Sequence, residues 1–347
     1  MASSVDNSAW LKWMTTLLGE ASRLNYAATL PPDRFYCLLE ELPLHLIPQR
    51  VLRALRSQDP MRPLSLNPDC VLYRAGEVPP ELADRKELLS GFAMEGTIAW
   101  VRDSTRESLL PFWLGPELEA AVRDLRRNEP VSSTVPDATK GLLAMADILV
   151  SEGRNGPGEV ERGEMSKKAA AVFREKGYAP LPGLIHPFHI AALRRYYRYL
   201  IRTGAIRLGD RQSARRYVAY NDPVARFFHQ HITGTLSAVA GETLKPSYVY
   251  LASYLSGAEL KKHVDREQCE FSITLCLDFS PEPALATPWP IQLETPTSKV
   301  AVYQSIGDGL AYRGTRLPHY RDKLGEGQTS TSIFFHYVAA DFAGSLD

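Results

Sequence analysis

His263-Val264-Asp265 is followed by Phe271-Ser272-Ile273-Thr274-Leu275-Cys276-Leu277-Asp278-Phe279, and by His319 some 54 residues beyond Asp265. His263 and Asp265 stand at i and i+2. In an extended strand alternate side chains share a face, so this spacing puts an imidazole and a carboxylate on one side and turns Val264 to the other, into a core. The downstream run alternates and is rich in strand formers, which places the triplet among β-strands. With His319 the set becomes two imidazoles and one carboxylate. That is the ligand set of a facial non-haem iron site, which holds the metal on one side and leaves the other open to oxygen. An HxD triplet also arises by accident on surface strands, so its meaning depends on what surrounds it.

A second pattern lies near the C-terminus. Gly307-Asp308-Gly309 is a turn signal, Leu310-Ala311-Tyr312 a short strand, and Gly314-Thr315-Arg316-Leu317-Pro318 leads into His319. Gly325-Glu326-Gly327 marks another turn before a strongly β run over 329–338. Strands are expected at 247–254, 271–278, 291–293, 300–304, 310–312 and 331–338, short and punctuated by Gly and Pro as in closed β architectures. Taken with Tyr254-x-x-Gly257-x-x-Leu260-x-x-His263-x-Asp265, this order resembles the iron(II)- and 2-oxoglutarate-dependent dioxygenases of the prolyl-hydroxylase-like and phytanoyl-hydroxylase-like kind. The resemblance covers about half the chain, roughly 166–338. It implies an α+β fold: a double-stranded β-helix (jelly-roll, cupin-like) core braced by helices. It implies iron(II) on His263, Asp265 and His319, 2-oxoglutarate and O2 as co-substrates, and no catalytic residue beyond the metal ligands. Related halogenases carry a small residue where Asp265 stands. A carboxylate there favours hydroxylation, although desaturation, epoxidation and cyclisation use the same ligands.

The chain departs from the family where 2-oxoglutarate is held. The resembled enzymes usually place an Arg or Lys about ten residues after the last histidine ligand, where it forms a charge-assisted pair with the distal carboxylate. Here Gln328, Thr329 and Ser330 occupy that position. Arg321, two residues after His319, is the first candidate, because an extended backbone aims both inward. Its alternative is a surface arginine paired with Asp322 or Glu326. Lys323 and Arg313 are weaker candidates for the cation. Ser330 with Ser332, or Thr329 with Thr331, would add hydroxyl donors, depending on which face points in. Tyr254 matches a tyrosine that contacts the co-substrate in the family, and Tyr248 and Tyr250 share its strand parity; simple strand packing is the other reading.

Composition is that of an ordinary globular protein: 347 residues, 44% hydrophobic and 23% charged. Forty basic residues balance forty acidic ones, so nothing points to a nucleic-acid or membrane partner. No apolar run reaches membrane-spanning length, and residues 1–10 lack the basic and apolar segments of a signal peptide. Cys37, Cys70, Cys269 and Cys276 have no zinc-type spacing and fit a reducing, cytoplasmic setting.

Residues 1–150 read as a mainly helical N-terminal region for substrate recognition, as a lid or for homodimerisation. Apolar stripes mark it at Trp10–Leu18, Phe35–Leu42, Val51–Leu55, Leu118–Leu125 and Leu142–Leu149. The polar, Gly-rich stretch 151–165 reads as a linker, and 166–347 as the dioxygenase domain. Within the latter, Ser166 is an expected N-cap for a helix ending at Gly177, and Pro187 an expected N1 residue for a helix over 188–201. The other histidines read as structural. His186 is a cap or surface residue, His336 is the only rival to His319 as third ligand but reads first as a satisfied core residue in an apolar run, and His229 and His231 are weak candidates for the barrel mouth. Arg211, Arg215 and Arg216 would suit an acidic substrate but read first as a solvated face. The Pro-rich insert 280–290 is a candidate substrate-facing loop. The expected substrate is a peptide, amino acid or natural-product-type small molecule. Two alternatives stay open: a non-catalytic barrel used for binding, and a cupin-type metalloenzyme independent of 2-oxoglutarate.

Overall fold

The computed structural model describes residues 26, 28–41, 63–103, 108–127, 129–151 and 157–346. The stripes at Trp10–Leu18 and Val51–Leu55 lie outside them, as do Leu42 and residues 152–156 of the expected linker. In chain order the N-terminal part holds β1 (Leu64–Leu66), β2 (Cys70–Tyr73), α1 (Pro80–Ala83), β3 (Thr97–Asp103), β4 (Ser108–Leu114), α2 (Pro116–Arg123), α3 (Asp137–Met145) and β5 (Leu149–Ser151). The remainder holds α4 (Pro157–Lys176), β6 (Tyr178–Leu181), α5 (Pro187–Arg202), β7 (Arg207–Leu208), β8 (Arg216–Tyr220), α6 (Pro223–Ala240) and β9 (Leu244–Tyr254). It continues through β10 (Leu260–His263), β11 (Phe271–Ser280), β12 (Ile291–Glu294), β13 (Lys299–Val302), β14 (Gly309–Arg313), β15 (His319–Arg321) and β16 (Thr329–Ala339).

Helices and antiparallel sheets are combined. A seven-stranded sheet runs β6-β14-β11-β16-β9-β8-β7 and a four-stranded one β10-β15-β12-β13. β11 lies between β14 and β16, and its first nine residues are all buried, because both of its faces are covered. On one face Phe271, Ile273, Leu275, Ile333 and Phe335 join Phe173 of α4, Phe188 of α5 and Phe228 of α6 in the main core. On the other face side chains of the two sheets meet. Ile291 and Leu293 of β12 pack with Leu310 and Tyr312 of β14, and Tyr254 and Phe334 pack with Trp289 and Leu324. Alternation along β16 and β9 sorts residues between these faces, and Ser330, Ser332, Phe334 and His336 share the inter-sheet side.

The helix boundaries follow local chemistry. Pro187 opens α5, and the His186 ring accepts from the Phe188 N–H at 3.2 Å, the cap expected of it. Gly177 ends α4 with φ +75°, and its N–H closes on the Phe173 carbonyl at 2.8 Å. Two expectations are corrected. α4 begins at Pro157, so the polar stretch to 165 is largely the first turns of a helix and not a linker. The N-terminal region is not mainly helical among its described residues, because it contains the antiparallel sheet β2-β3-β4. Its Phe112, Trp113 and Trp100 are buried against the helices, so a strand-forming sheet, not an amphipathic helix, supplies the apolar face. His189 of α5 hydrogen-bonds the Pro111 carbonyl at 2.8 Å, and His231 of α6 meets Ser108 Oγ at 2.5 Å. His229 bonds the His336 carbonyl at 2.8 Å. His229 and His231 therefore fasten layers together and do not line the mouth of the inter-sheet space. No helix among the described residues is long and apolar enough to cross a membrane.

One ion-pair cluster locks α5 to the sheet. Arg194 is fully buried and donates through Nε to Asp278 Oδ1 at 3.0 Å, with Arg198 on the same carboxylate at 2.5 Å and Glu282 on Arg194 at 2.7 Å. Removing one partner of a buried pair strands the other charge, at a cost of about 3–5 kcal/mol. Asp278→Ala is expected to lower unfolding free energy by that amount in urea denaturation, and a loss below about 1 kcal/mol, the worth of an exposed pair, would contradict it.

Candidate metal centre

His263 closes β10 and pairs directly across from His319, which opens β15. The two rings come within 4.3 Å, centroid to centroid. Asp265 lies two residues past His263, just beyond the strand, where its N–H donates to the Gly314 carbonyl at 2.9 Å. That bond ties the ligand loop to the segment leading into β15. Asp265 Oδ1 is 3.5 Å from His263 Nε2 and 3.4 Å from His319 Nε2. One donor atom from each residue falls within 4.8 Å of the other two. Ligands about 2.1 Å from one metal at right angles stand about 3 Å apart, so the spacing suits a single ion.

Hydrogen bonds fix the imidazoles for this task. His263 Nδ1 faces the Lys261 carbonyl at 2.8 Å, and His319 Nδ1 the Leu317 carbonyl at 3.0 Å. A carbonyl only accepts, so Nδ1 carries the proton and a neutral ring presents its Nε2 lone pair to the metal. Burial alone would raise the Asp265 pKa, but hydrogen bonds and charge from His263 and His319 hold it below the usual carboxylate range. The bond to Asp265, working against burial, raises the His263 pKa. The donor set, its tautomers and its ionised carboxylate therefore fit a divalent metal.

Around the triad the structure places Ser272 and Gly314, to which sequence alone assigns no role, and His336, which it reads first as core. Ser272 Oγ donates to Asp265 Oδ2 at 3.2 Å and meets His336 Nδ1 at 2.9 Å. His336 is thus beside the metal ligands on the inter-sheet wall, not in the apolar core. Burial takes its pKa down to about 4, against the opposing pull of Asp265. Its parity with Ser330 and Ser332 on β16 was the available signal. Gly314 is also essential here. A Cβ on it would drive into Asp265 Oδ2 and the Cys269 carbonyl.

Arg321 is where its parity with His319 points it. It is 4% exposed and donates from Nη1 to the Trp289 carbonyl at 2.5 Å and from Nη2 to Gln304 Oε1 at 3.3 Å. The Trp289 ring lies 4.8 Å from its guanidinium carbon. Its Nε has no hydrogen-bond partner, and among the described residues no carboxylate pairs with it. The surface alternative, a pair with Asp322 or Glu326, is therefore overturned. Tyr254 is buried, edge-on to Trp289, and its hydroxyl accepts from Arg216 at 3.3 Å. Ser330 is buried opposite Tyr254 in the β16–β9 register, and the neighbouring Ser332 hydroxyl is buried without a partner. Thr331 points the other way, to Ser253. Arg216, expected on a solvated face, is instead buried and bound to Asp210 and Tyr254. Trp289 lies within the insert 280–290, whose Pro content hid its inward-facing end.

Two imidazoles and a carboxylate brought together in this way could hold a single metal ion, with Arg321 buried two residues further along the same strand. No protein-family model matches the chain, and no curated protein matches it. Solved structures do resemble about half of it. A Pseudomonas putida prolyl-4-hydroxylase is 15% identical, covering 50% of this chain and 99% of its own, with a TM-score of 0.43. A Trichoplax adhaerens prolyl hydroxylase, solved with a hypoxia-inducible-factor peptide, is 10% identical over 53% of this chain and 94% of its own, with a TM-score of 0.45. HygX from Streptomyces hygroscopicus, solved with nickel, 2-oxoglutarate and hygromycin B, is 12% identical over 51% and 88%, with a TM-score of 0.41.

Two outcomes test the centre. Gly314→Ala is expected to displace Asp265 and weaken iron(II) binding by roughly 10- to 100-fold with the circular dichroism unchanged; undiminished binding would contradict the geometry. Because the His263 pKa is raised, protons compete with metal. Affinity is expected to climb up to about tenfold per pH unit while His263 is protonated, then level off above its raised pKa. Titrations at stepped pH check this, and a flat profile below neutrality would contradict it.

Proposed function

We propose that the protein is a non-haem iron(II)/2-oxoglutarate-dependent oxygenase, hydroxylating an unactivated C–H of a peptide, amino acid or natural-product-type substrate with release of succinate and CO2. The two sheets whose side chains meet around the site are read as its double-stranded β-helix, and residues 166–347 as the catalytic domain. Residues 1–150 are read as a separate region that backs α5 and α6 and offers a surface for a partner or a second copy. The observation that carries the function is Arg321: a buried guanidinium, lacking a carboxylate, on the same strand face as a metal-ligating histidine. A cation kept there at the cost of burial supports an acidic co-substrate over a site that binds no anion.

His263, Asp265 and His319 would hold iron(II). When bound, the metal supplies the activation of O2 that oxidises 2-oxoglutarate and the substrate together. The chain supplies the rest. Arg321 binds the distal carboxylate, and Ser330 and Ser332 offer hydroxyl donors from β16. Trp289 holds the guanidinium against its ring and, with Tyr254 and Leu324, closes the pocket to water. The Lys261 and Leu317 carbonyls keep both imidazoles in the metal-binding tautomer. His336, neutral near pH 7, adds no charge beside Asp265.

Anaerobic titration of the iron(II)-loaded protein with 2-oxoglutarate is expected to produce a visible metal-to-ligand charge-transfer band, followed in air by succinate formation. Normal iron binding without that band would contradict the co-substrate. Arg321→Leu is expected to weaken 2-oxoglutarate binding on the order of 100-fold, the worth of a charge-assisted pair, while iron affinity is retained. An unchanged requirement for 2-oxoglutarate would remove Arg321 from the site.

A further inference from the structure

Arg266 follows Asp265 directly and takes no part in the chemistry described so far. It is held in one orientation at the rim. Its Nε donates to the Tyr248 hydroxyl at 3.3 Å, its Nη2 to the Tyr220 hydroxyl at 3.0 Å, and its guanidinium carbon lies 4.6 Å from the Tyr248 ring centre. Tyr220 and Tyr248 stack at 5.1 Å with their planes 11° apart, and Tyr250 meets Tyr220 edge-on at 5.1 Å. The wall they form runs from solvent to the metal ligands. Tyr220 is 54% exposed, whereas Tyr248 lies 4.6 Å from the His336 ring, which meets the Ser272 hydroxyl that donates to Asp265.

Among the described residues no carboxylate lies within ion-pair distance of Arg266; besides the two tyrosine hydroxyls, its guanidinium faces only the Cys269 thiol. The Tyr220 hydroxyl accepts from Arg266 and keeps its own proton to donate. An arginine whose stem and Nε are fixed by aromatic rings and hydroxyls loses little freedom on binding a planar anion, and such charge-assisted bonds are strong. Exposed arginines without a role are usually mobile; this one is braced from two sides.

We propose that Arg266 and Tyr220 bind a carboxylate of the substrate, with a flat or aromatic portion lying along the tyrosine wall, so that the substrate class is an aromatic or otherwise planar acid. Specificity would then be set at the rim, about one residue from the metal ligand Asp265, and separately from the Arg321 pocket. This inference rests on the oxygenase reading in taking the open side of the His263–Asp265–His319 triad as the place of reaction.

The test compares phenylacetate with phenylacetamide, two probes alike except for the charge, by ligand-observed NMR titration with 2-oxoglutarate at saturation to fill the Arg321 pocket. The wild type is expected to prefer the acid by roughly tenfold or more. Arg266→Gln should bring the two probes to parity, and Arg266→Lys should restore part of the preference. Tyr220→Phe, which alters only an exposed hydroxyl, should weaken the acid severalfold and leave the amide unchanged. Absence of saturable phenylacetate binding, equal binding of both probes by the wild type, or an undiminished preference in Arg266→Gln would overturn the proposal. Iron(II) and 2-oxoglutarate binding are measured on the same proteins. Both retained in Arg266→Gln while the preference vanishes is the expected pattern. An acid preference that depends on Arg266 in a protein that does not bind 2-oxoglutarate would uphold the anion site and refute the oxygenase.

Discussion

The antiparallel pairing of β10 with β15 sets His263 opposite His319, and everything chemical in the molecule depends on it. The two histidines are far apart in the chain and share no local structure. What joins them is a short two-strand contact at the edge of the four-stranded sheet, reinforced by β12 on the other side of β15. The bond from Asp265 N–H to the Gly314 carbonyl extends that contact past the end of β10 and brings in the carboxylate. The same strand carries Arg321 inward two residues after His319. A three-residue strand thus supplies both a proposed metal ligand and a buried cation, which is possible only because its side chains alternate and its middle residue, Tyr320, turns outward.

The electrostatics of the interior divide along the same line. Around Asp265 one carboxylate is balanced by two imidazoles, and burial, which would favour its protonation, loses to their hydrogen bonds and charge. Around Arg321 the balance is missing: a carbonyl, an amide oxygen and an indole face satisfy part of the guanidinium, and none carries a full charge. On the helix side of the seven-stranded sheet the contrast is plain, since buried Arg194 has Asp278 and Glu282. Proteins seldom leave a buried arginine without an anion, and the exception at Arg321 is what supports the proposal that it holds a ligand carboxylate.

Much of this was legible in the residues. The turn at Gly307-Asp308 was marked by its residues, and the parity of Arg321 with His319 is a property of period-two sequences, which survives folding because register admits no half-steps. Asp265 joins His263 from just past the end of β10, and Val264 is exposed there, not turned into a core. The strands at 271–278, 291–293 and 331–338 were found to within a few residues for the same reason. What was not legible depended on distant partners. His336 looked like core because its strand is apolar, and only the opposing Ser272 reveals the face it occupies. Arg216 looked like a solvated charge and Arg266 drew no reading, since nothing local tells that tyrosines from β8 and β9 will meet them. The N-terminal region misled for a different reason. Leu118 and Val122 do fall on α2, and Leu142 and Leu143 on α3, but the sheet between them and the N-terminus went unread: Leu109 to Leu114 is a short apolar run with no period to mark it as a strand.

X-ray absorption at the iron edge of the iron(II)-loaded protein examines the triad without relying on turnover. One iron per chain is expected, with the outer-shell scattering of two imidazoles in the wild type and of one in His319→Ala. Iron bound with no imidazole scattering, or a His319→Ala spectrum identical to the wild type, would contradict the assignment of the β10–β15 pair as the metal centre.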